Sequence, residues 1–243
     1  MSNISLDRCL SFIHCQLDPA PPGVMPHNEY HPRPTVTLSR QEGSGAHAVA
    51  GALLPLLQEE NPDPAARWAV FDKNLVEKVL ADHHLPERLA KFMPEDRISE
   101  VGDTMDELFG LHPSSWTLVH QTAETILHLA ELGHVIIIGR AANVITGKLP
   151  NVIHVRLVAP LEKRITYLQQ VRNLSAKAAA EAVEREDLGR RRYLRKYFEK
   201  DVDDPLLYHL VINTGSVSYQ DAAGIIAERV WRLAPVEHTA GVD

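Results

Sequence analysis

Apolar and polar positions change their spacing in a regular succession from residue 35 onward. Short apolar runs of four to seven residues are followed by longer stretches in which apolar residues recur every three or four positions. This succession predicts strands that alternate with helices. Such strands pair in parallel through right-handed crossovers, so the sequence predicts an α/β fold with a sheet covered on both faces. The five predicted strands are residues 35–39, 68–71, 134–138, 152–158 and 210–213.

The ends of the predicted helices carry signals of their own. After the first strand a helix is predicted over residues 45–57, with Pro55 expected to kink or end it. Gly133 follows a long segment with an apolar stripe and has the position of a left-handed C-cap. Ser175 is expected to cap a later helix, and Ser218 with Asp221 resembles a capping box for the last one.

Proline content divides the chain into regions. Six prolines lie among residues 1–34 and prevent regular structure over much of this stretch, which we interpret as a tail. Residues 35–235 are predicted to form one domain, with a short C-terminal tail at 236–243. Within the domain we place a mostly helical insertion at about 86–113, flanked by prolines, and a helical lid at about 175–204.

Composition fits one globular domain of 243 residues, with 44% hydrophobic and 23% charged residues. The net charge of −7 argues against nucleic acid as a partner. The two cysteines show no C-x-x-C spacing, which suits a reducing cytosol. We also find neither a membrane-spanning run nor a signal-peptide pattern, and therefore expect a cytoplasmic protein without a membrane partner.

The most informative motif is the glycine loop within residues 35–50, TVTLSRQEGSGAHAVA. A strand leads into Gly43, Ser44 and Gly45, and a helix follows. Loop N–H groups and the partial positive charge of a helix N-terminus together bind phosphate. The usual pattern G-x-x-x-x-G-K-[ST] has a Lys after the second glycine, where this chain has Ala46. A plain tight turn is the alternative interpretation.

Two side chains of the loop are candidates to supply the missing charge. Arg40 lies inside the loop, and His47, one position past the place of the Lys, donates to a phosphate when protonated. For His47 a solvated position in the first helical turn is an equal alternative. Ser44 offers a hydroxyl, but not at the usual magnesium-binding position, so the sequence leaves the metal ligands unassigned.

Two further candidates end predicted strands, and ligands of parallel sheets bind at the carboxyl ends of strands. Asp72 can accept a hydrogen bond from a substrate hydroxyl or help to hold Mg²⁺, although a helix N-cap explains it equally well. Arg140 follows the most apolar strand, and its planar guanidinium suits a phosphate or carboxylate. A salt bridge to a neighbouring loop is the alternative for Arg140.

A basic segment lies at residues 185–200. Phosphoryl transfer needs positive groups around the transferring phosphate, so a mobile helix that closes over two nucleotides is one interpretation. A solvated, charged helix face is the other, and spacing alone does not decide between them.

Six segments together resemble the cytidylate kinase-like family, a branch of the P-loop nucleoside monophosphate kinases. They extend from about residue 36 to about residue 230. The branch commonly has a loop of the form S-R-x-x-G-S-G without the Lys. The segments are TLSRQEGSGAHAVA, VFDKNLVEKV, IIIGRAANVI, VRLVAPLEKRI, EREDLGRRRYLRKYF and DDPLLYHLVINTG.

The resemblance implies a P-loop kinase-like three-layer sandwich with a five-stranded parallel sheet and a helical lid. It implies an acceptor region around Asp72 and Arg140. It implies a phosphate loop at Gly43–Gly45. Together with the candidates above, the residues predicted at the donor phosphates are Arg40, Gly43, Ser44, Gly45, Ala46 and His47. The catalytic lid residues that it implies are Arg185, Arg190 and Arg192.

The chain departs from the family pattern at three positions. Ile138 stands where an aspartate usually precedes the Gly-Arg pair and helps to order magnesium. Leu188 stands where a further lid arginine is expected, and His209 where an aspartate is common.

From the resemblance we expect an ATP- and Mg²⁺-dependent phosphotransferase that moves the γ-phosphate to a small acceptor, with CMP and dCMP as candidates. Three alternatives stay open: a nucleotide-binding sensor that no longer catalyses, a kinase for a non-nucleotide metabolite, and an interaction protein whose glycine loop is only a turn. The sequence leaves open whether the chain forms a homo-oligomer.

Overall fold

The structure is a computed structural model that describes residues 33–59, 67–72 and 117–233. Its described strands are β1 (Thr35–Arg40), β2 (Ala69–Phe71), β3 (Val135–Ile138), β4 (Val152–Val158) and β5 (Leu210–Asn213). Its described helices are α1 (Ala46–Glu59), α2 (Thr117–Leu132), α3 (Ala142–Ile145), α4 (Leu161–Arg172), α5 (Ala176–Phe198) and α6 (Tyr219–Trp231), with a 3₁₀ turn at Pro205–Leu207 before β5.

The five described strands pair in parallel, in the order β2-β3-β1-β4-β5. Thr35 at the start of β1 lies opposite Val135 on one side and Val152 on the other, so the three central strands begin level. Their carboxyl ends therefore meet at one edge of the sheet, where the loop after β1 also lies. The predicted α/β class and the five-stranded parallel sheet are confirmed.

One face of the central strands is wholly aliphatic. It packs against α1 and α6 and forms the larger part of the core. Burial of each such side chain stabilises the fold by about 1.5–3 kcal/mol, so this face anchors the strands that carry the loop. Its fully buried residues from β1 and β4 are Val36, Leu38, Ile153, Val155 and Leu157.

The opposite face of β1 and β4 is polar. The Thr37 hydroxyl oxygen lies 2.9 Å from Nδ1 of His154, and Arg156 donates to the Ser39 hydroxyl at 3.0 Å. Beside this strip, residues of β2 and β3 pack with α2, α3 and the end of α5 into a second apolar cluster. The sheet is thus the middle of three layers.

The predicted helix ends agree with the structure at most points. The Ser175 side chain accepts a hydrogen bond from the Ala178 N–H, the Ser218 side chain caps α6, and Gly133 has φ +70° just after α2. The prediction that Pro55 ends the helix was wrong, because α1 continues past it to Glu59, and the predicted kink stays a prediction. Pro55 is exposed, so the carbonyl that its ring leaves without a donor has water available.

Several sequence predictions lie outside the described residues. They concern most of the tail at 1–34, the insertion at about 86–113 and the C-terminal tail at 236–243. The domain limits and the lid limits stay predictions. Among the described helices, none combines the length and the apolar character that crossing a membrane would take.

Candidate functional site

The loop between β1 and α1 is held from both sides. Gly43 and Gly45 both have φ +82°, with Ser44 of negative φ between them. A Cβ on Gly43 would overlap the backbone carbonyl of Arg164, and a Cβ on Gly45 would overlap the ring of Tyr219. Both positions therefore require glycine for conformation and for space. The alternation in the sign of φ is typical of loops whose N–H groups converge on an anion.

The loop also leaves N–H groups without an acceptor. Within the described part of the chain, the amides of Gly43, Gly45 and Ala46 donate to no residue. The first helical hydrogen bond of α1 comes from Val49 to the Gly45 carbonyl. The Ser44 hydroxyl instead donates to the Gln41 carbonyl at 2.8 Å and stabilises the loop itself. The arrangement is that of a helix N-terminus with donors available to an anion.

Arg40 brings a guanidinium to the strand edge. Burial and the nearby Arg190 lower its pKa to about 10, so it keeps its charge near neutral pH. Its guanidinium passes directly over Gly139, where any Cβ would overlap it. Gly139, Arg140 and Ala141 have φ values of +82°, +57° and +57°, and non-glycine residues held in this region mark sites where other constraints dominate.

Glu42, inside the glycine loop, is a buried carboxylate between two guanidinium groups. Arg172 Nη2 lies 2.5 Å from one carboxylate oxygen, and Arg190 donates to the other. Burial would raise the pKa of Glu42, but Arg190, Arg172 and Arg40 outweigh it and hold the pKa below its usual value. The ion pairs tie the loop to α4 and α5.

Asp187 of α5 makes a second tie to the loop. One carboxylate oxygen accepts the Glu42 N–H at 2.7 Å, and the other accepts Arg164 Nη1 at 2.6 Å. Arg190 Nη1 also lies 3.1 Å from Asp187. The Asp187 carboxylate thus already accepts a hydrogen bond from one loop N–H group. This group lies next to the loop N–H groups that have no acceptor among the described residues.

A cavity of about 240 Å³ opens beside the loop, between the carboxyl ends of β1 and β3 and the face of α5. Three guanidinium groups from different elements contribute to its wall. Glu186 also lines the cavity, but positive residues outnumber negative ones in its lining, and this excess favours an anionic ligand. Lining residues that bear on this are Arg40, Gly139, Arg140, Asn143, Arg190 and Tyr193.

His47 and Asp72 meet at the mouth of the loop. His47 Nε2 lies 3.4 Å from an Asp72 oxygen, with the His47 side chain 53% exposed and that of Asp72 19% exposed. The two predicted residues thus lie together. The contact also gives His47 a partner in the absence of a ligand, which neither sequence interpretation included.

The structure does not bring all three predicted lid arginines to the site. Arg190 lines the cavity, but Arg185 and Arg192 lie on exposed positions of α5 and are not among its lining residues. Arg185 has a long contact of 3.9 Å with Glu186. Of the residues predicted from the sequence, the structure gathers Arg40, Arg140 and Arg190.

Two site residues escaped the sequence analysis. Glu42 was visible as an acid inside the loop, but its partners Arg172 and Arg190 lie 130 and 148 positions further along the chain. Asp187 lies within the basic segment at 185–200 and was not predicted as a site residue. No local spacing could have predicted that its side chain reaches the loop N–H.

A different polar group lies near the middle of the sheet. His154 of β4 stacks on His209 with ring centres 4.9 Å apart, and His209 Nδ1 accepts the His154 backbone N–H. Burial, together with His209, lowers the pKa of His154 to about 4. His209, at the position where the family commonly has an aspartate, thus has a partner within the protein.

The described residues contain no group of three or more His, Cys, Asp or Glu side chains able to hold a metal ion. Magnesium in phosphoryl transfer needs only one or two carboxylates, because substrate phosphates and water complete its shell. Asp72 is the carboxylate beside the loop mouth, whereas Ile138 offers no ligand.

Comparison with known proteins gives partial matches and one family. A curated uronate isomerase from Corynebacterium glutamicum is 29% identical over 119 residues, 49% of this chain and 23% of that protein. The chain therefore spans about a quarter of the length of this relative, and the match assigns no activity.

The chain also matches two solved structures. An uncharacterized protein from Eubacterium ventriosum has a TM-score of 0.54 at 19% identity, covering 82% of this chain and 98% of that one. TT1252 from Thermus thermophilus has a TM-score of 0.37 at 15% identity, covering 84% of this chain and 100% of that one. At such identity the first likeness supports the fold alone.

The family match covers more of the molecule. The model of the cytidylate kinase-like family matches residues 35–216, from the first residue of β1 to just beyond β5. This span includes the glycine loop, the arginine-lined cavity and α5. The chain belongs to the cytidylate kinase-like family.

Proposed function

We propose that the protein transfers the γ-phosphate of ATP to a small phosphorylated acceptor, with CMP and dCMP as the first acceptors to test. The observation that carries the proposal is the set of loop amides, at Gly43, Gly45 and Ala46, that have no acceptor in the described part of the chain. They lie at the start of α1, where the helix adds partial positive charge. The donor phosphates would bind there.

The acceptor would occupy the neighbouring cavity. Arg40, Arg140 and Arg190 contribute to its wall, and planar guanidinium groups bind phosphate oxygens in pairs. Asp72, at the loop mouth, is placed to accept a hydrogen bond from an acceptor hydroxyl or to hold Mg²⁺. When bound, Mg²⁺ would neutralise charge on the donor phosphates.

No covalent intermediate is needed for this reaction. Positioning two anions next to each other and stabilising the charge of the transferring group supply most of the rate enhancement in phosphoryl transfer. Arg40 and Arg190 would replace the charge that a loop Lys supplies in related proteins. Because both guanidinium groups are partly buried, their effect on a nearby phosphate would exceed that of exposed arginines.

The direct test is an assay of ADP formation with ATP, Mg²⁺ and a panel of ribonucleoside and deoxyribonucleoside monophosphates. We expect turnover with at least one of them and, for that acceptor, formation of the diphosphate detected by phosphorus NMR. ATP consumption without a phosphorylated acceptor would remove the transferase proposal, and absence of both would remove catalysis.

The sensor alternative has one specific observation in its favour. The loop carries a carboxylate, Glu42, that already binds Arg190, and Ala46 leaves the loop without its usual cation. Tight ATP binding, measured by calorimetry, without transfer to any nucleoside or sugar acceptor would favour a nucleotide sensor. Transfer to a phosphorylated metabolite, but not to a nucleotide, would keep the chemistry and change the acceptor.

A further inference from the structure

Gly189 is a glycine that the packing of the described residues does not require. It lies within α5, and glycine is among the least favourable residues in a helix interior. Apart from its two chain neighbours and the local helix backbone, a Cβ built on Gly189 would meet no heavy atom of the described residues within 4 Å. Its φ is not positive either. Within the described part of the chain, neither backbone conformation nor packing therefore explains this residue.

Its place on the cavity wall does offer an explanation. The α5 residues on the 240 Å³ cavity are Glu186, Gly189, Arg190, Tyr193 and Leu194. Their spacing is that of one helix face. Gly189 lies in the middle of this face, with side chains in the turns before and after it. The missing side chain therefore leaves a gap in the wall, where the helix backbone itself faces the cavity.

The cavity wall carries three arginines. Arg40 and Arg140 approach from the ends of β1 and β3, and Arg190 lies on α5 next to Gly189. Glu186 is the acidic residue among the lining residues of α5. A ligand held by these arginines has a phosphate or similar anion beside them. The gap at Gly189 provides room for the rest of such a ligand.

We propose that Gly189 is a specificity-determining residue that lets the body of a phosphorylated acceptor pack directly against the backbone of α5. This inference rests on the proposed function, because it takes the cavity as the acceptor site. A side chain at position 189 would shorten the cavity and exclude acceptors of nucleotide size, while leaving the arginines of the wall in place, so that a bare phosphate still binds.

The experiment uses Gly189→Ala and Gly189→Leu, with Gly224→Ala in α6 as the matched control. Gly224 is also helical, also has open space around its Cβ, and is not among the residues of the cavity wall. Because alanine favours helix, both alanine variants should raise the melting temperature by about 2–4 °C. An alanine substitution should therefore raise the melting temperature at both positions but weaken acceptor binding only at position 189.

Calorimetry then measures the dissociation constant of the nucleoside monophosphate that wild type binds best. Gly189→Ala should weaken it about tenfold, or about 1.4 kcal/mol, and Gly189→Leu should abolish detectable binding. Gly224→Ala should stay within about twofold, because its methyl group lies elsewhere. Inorganic phosphate should bind wild type and Gly189→Ala equally, and the KM for ATP should not change.

Each other outcome speaks against the inference. Equal acceptor affinity of Gly189→Ala and wild type would overturn it while leaving the proposed function intact. Weaker binding of inorganic phosphate or ATP would show that the methyl group disturbs the arginines or the helix, and would overturn it too. If the wild-type protein itself neither binds nor phosphorylates any nucleoside monophosphate, the proposed function is wrong, and the acceptor role of Gly189 is wrong with it.

Discussion

Two polar regions lie along the same pair of strands, and they differ in how their polar groups are satisfied. Midway along β4, His154 hydrogen bonds with Thr37 and stacks on His209, and its lowered pKa keeps it neutral near neutral pH. At the carboxyl end, Glu42 and Arg190 are charged and paired, beside an open cavity and loop amides that have no acceptor among the described residues.

The difference separates a structural polar region from a candidate binding region. The histidine pair makes its hydrogen bonds and its ring contact within the protein, and the separate cavity of about 400 Å³ that it lines has no arginine among its lining residues. The carboxyl-end region brings together arginines that repel one another. Burial and the charge of Arg190 both lower the pKa of Arg40. Proteins tolerate such repulsion where an anion binds. Substitution of a charged residue should therefore affect function at the carboxyl end, whereas substitution of His154 should affect stability.

The largest expected effect is that of Arg190→Gln on phosphoryl transfer. Loss of one positioned positive group near the transferring phosphate lowers kcat by about 100- to 1000-fold. Arg195→Gln, at an exposed position on the same helix, should keep kcat within about twofold. Steady-state kinetics with the acceptor found in the panel measures both variants.

Stability has to be controlled in this comparison, because Arg190→Gln also removes a partner of Glu42. The double variant Glu42→Gln/Arg190→Gln restores neutrality, and we expect it to remain as inactive as the single variant. Recovered activity would mean that Arg190 acts only through loop structure. A loss in Arg185→Gln or Arg192→Gln as large as that of Arg190→Gln would mean that α5 moves to bring those arginines to the site.

The second prediction concerns pH and His154. The pKa of His154 is about 4 in the folded protein and about 6.5 in the unfolded chain. Below pH 6.5 the unfolded chain therefore binds a proton that the folded protein does not, and stability falls as the pH falls toward 4. The loss amounts to about 3 kcal/mol at most.

Urea unfolding of wild type and His154→Gln, above pH 6.5 and near pH 4, measures this loss. The variant should show a flatter dependence on pH, although its stability above pH 6.5 is lower because the contact with Thr37 changes. Phosphoryl transfer by the variant should stay close to that of wild type. Parallel pH profiles of the two proteins would contradict the structural assignment of the histidine pair.

The sheet was predictable from the sequence because its signal is local. Runs such as Val135–Ile138 are apolar in every position, and parallel strands buried on both faces need that pattern. The site was predictable only in part. Arg40 and Arg140 follow strands, and strand ends converge by topology, so their meeting could be expected. Pro55 was wrong as a predicted helix end, because α1 continues to Glu59.

The remaining parts depend on tertiary contacts between distant segments. Which of the lid arginines faces the loop depends on the rotation of α5, which the ion pairs of Arg190 and Asp187 fix. The sequence could not show that Asp187 accepts the Glu42 N–H. A gap such as Gly189 becomes informative only when a cavity is seen beside it.

The smallest expected effect is that of Glu42→Gln on stability. The variant keeps the size of the side chain but loses the charge that Arg172 and Arg190 bind, and we expect a loss of about 1–2 kcal/mol in the free energy of unfolding. Burial would raise the pKa of Glu42, but Arg190 and its neighbours lower it below 4.5, so the stabilisation is complete above pH 4.5. It disappears as the pH falls through the folded pKa.

Urea unfolding at several pH values checks this, with Glu59→Gln at the exposed end of α1 as the control that should stay within about 0.5 kcal/mol. The difference between wild type and Glu42→Gln should be constant above pH 4.5 and shrink below it, whereas the effect of His154 develops between pH 6.5 and about 4. The charged region and the neutral region thus lose stability in largely separate pH ranges. If Glu42→Gln changed the dependence on pH above 4.5, the carboxylate would not be held ionised by its arginines, and the contrast between the two regions would disappear.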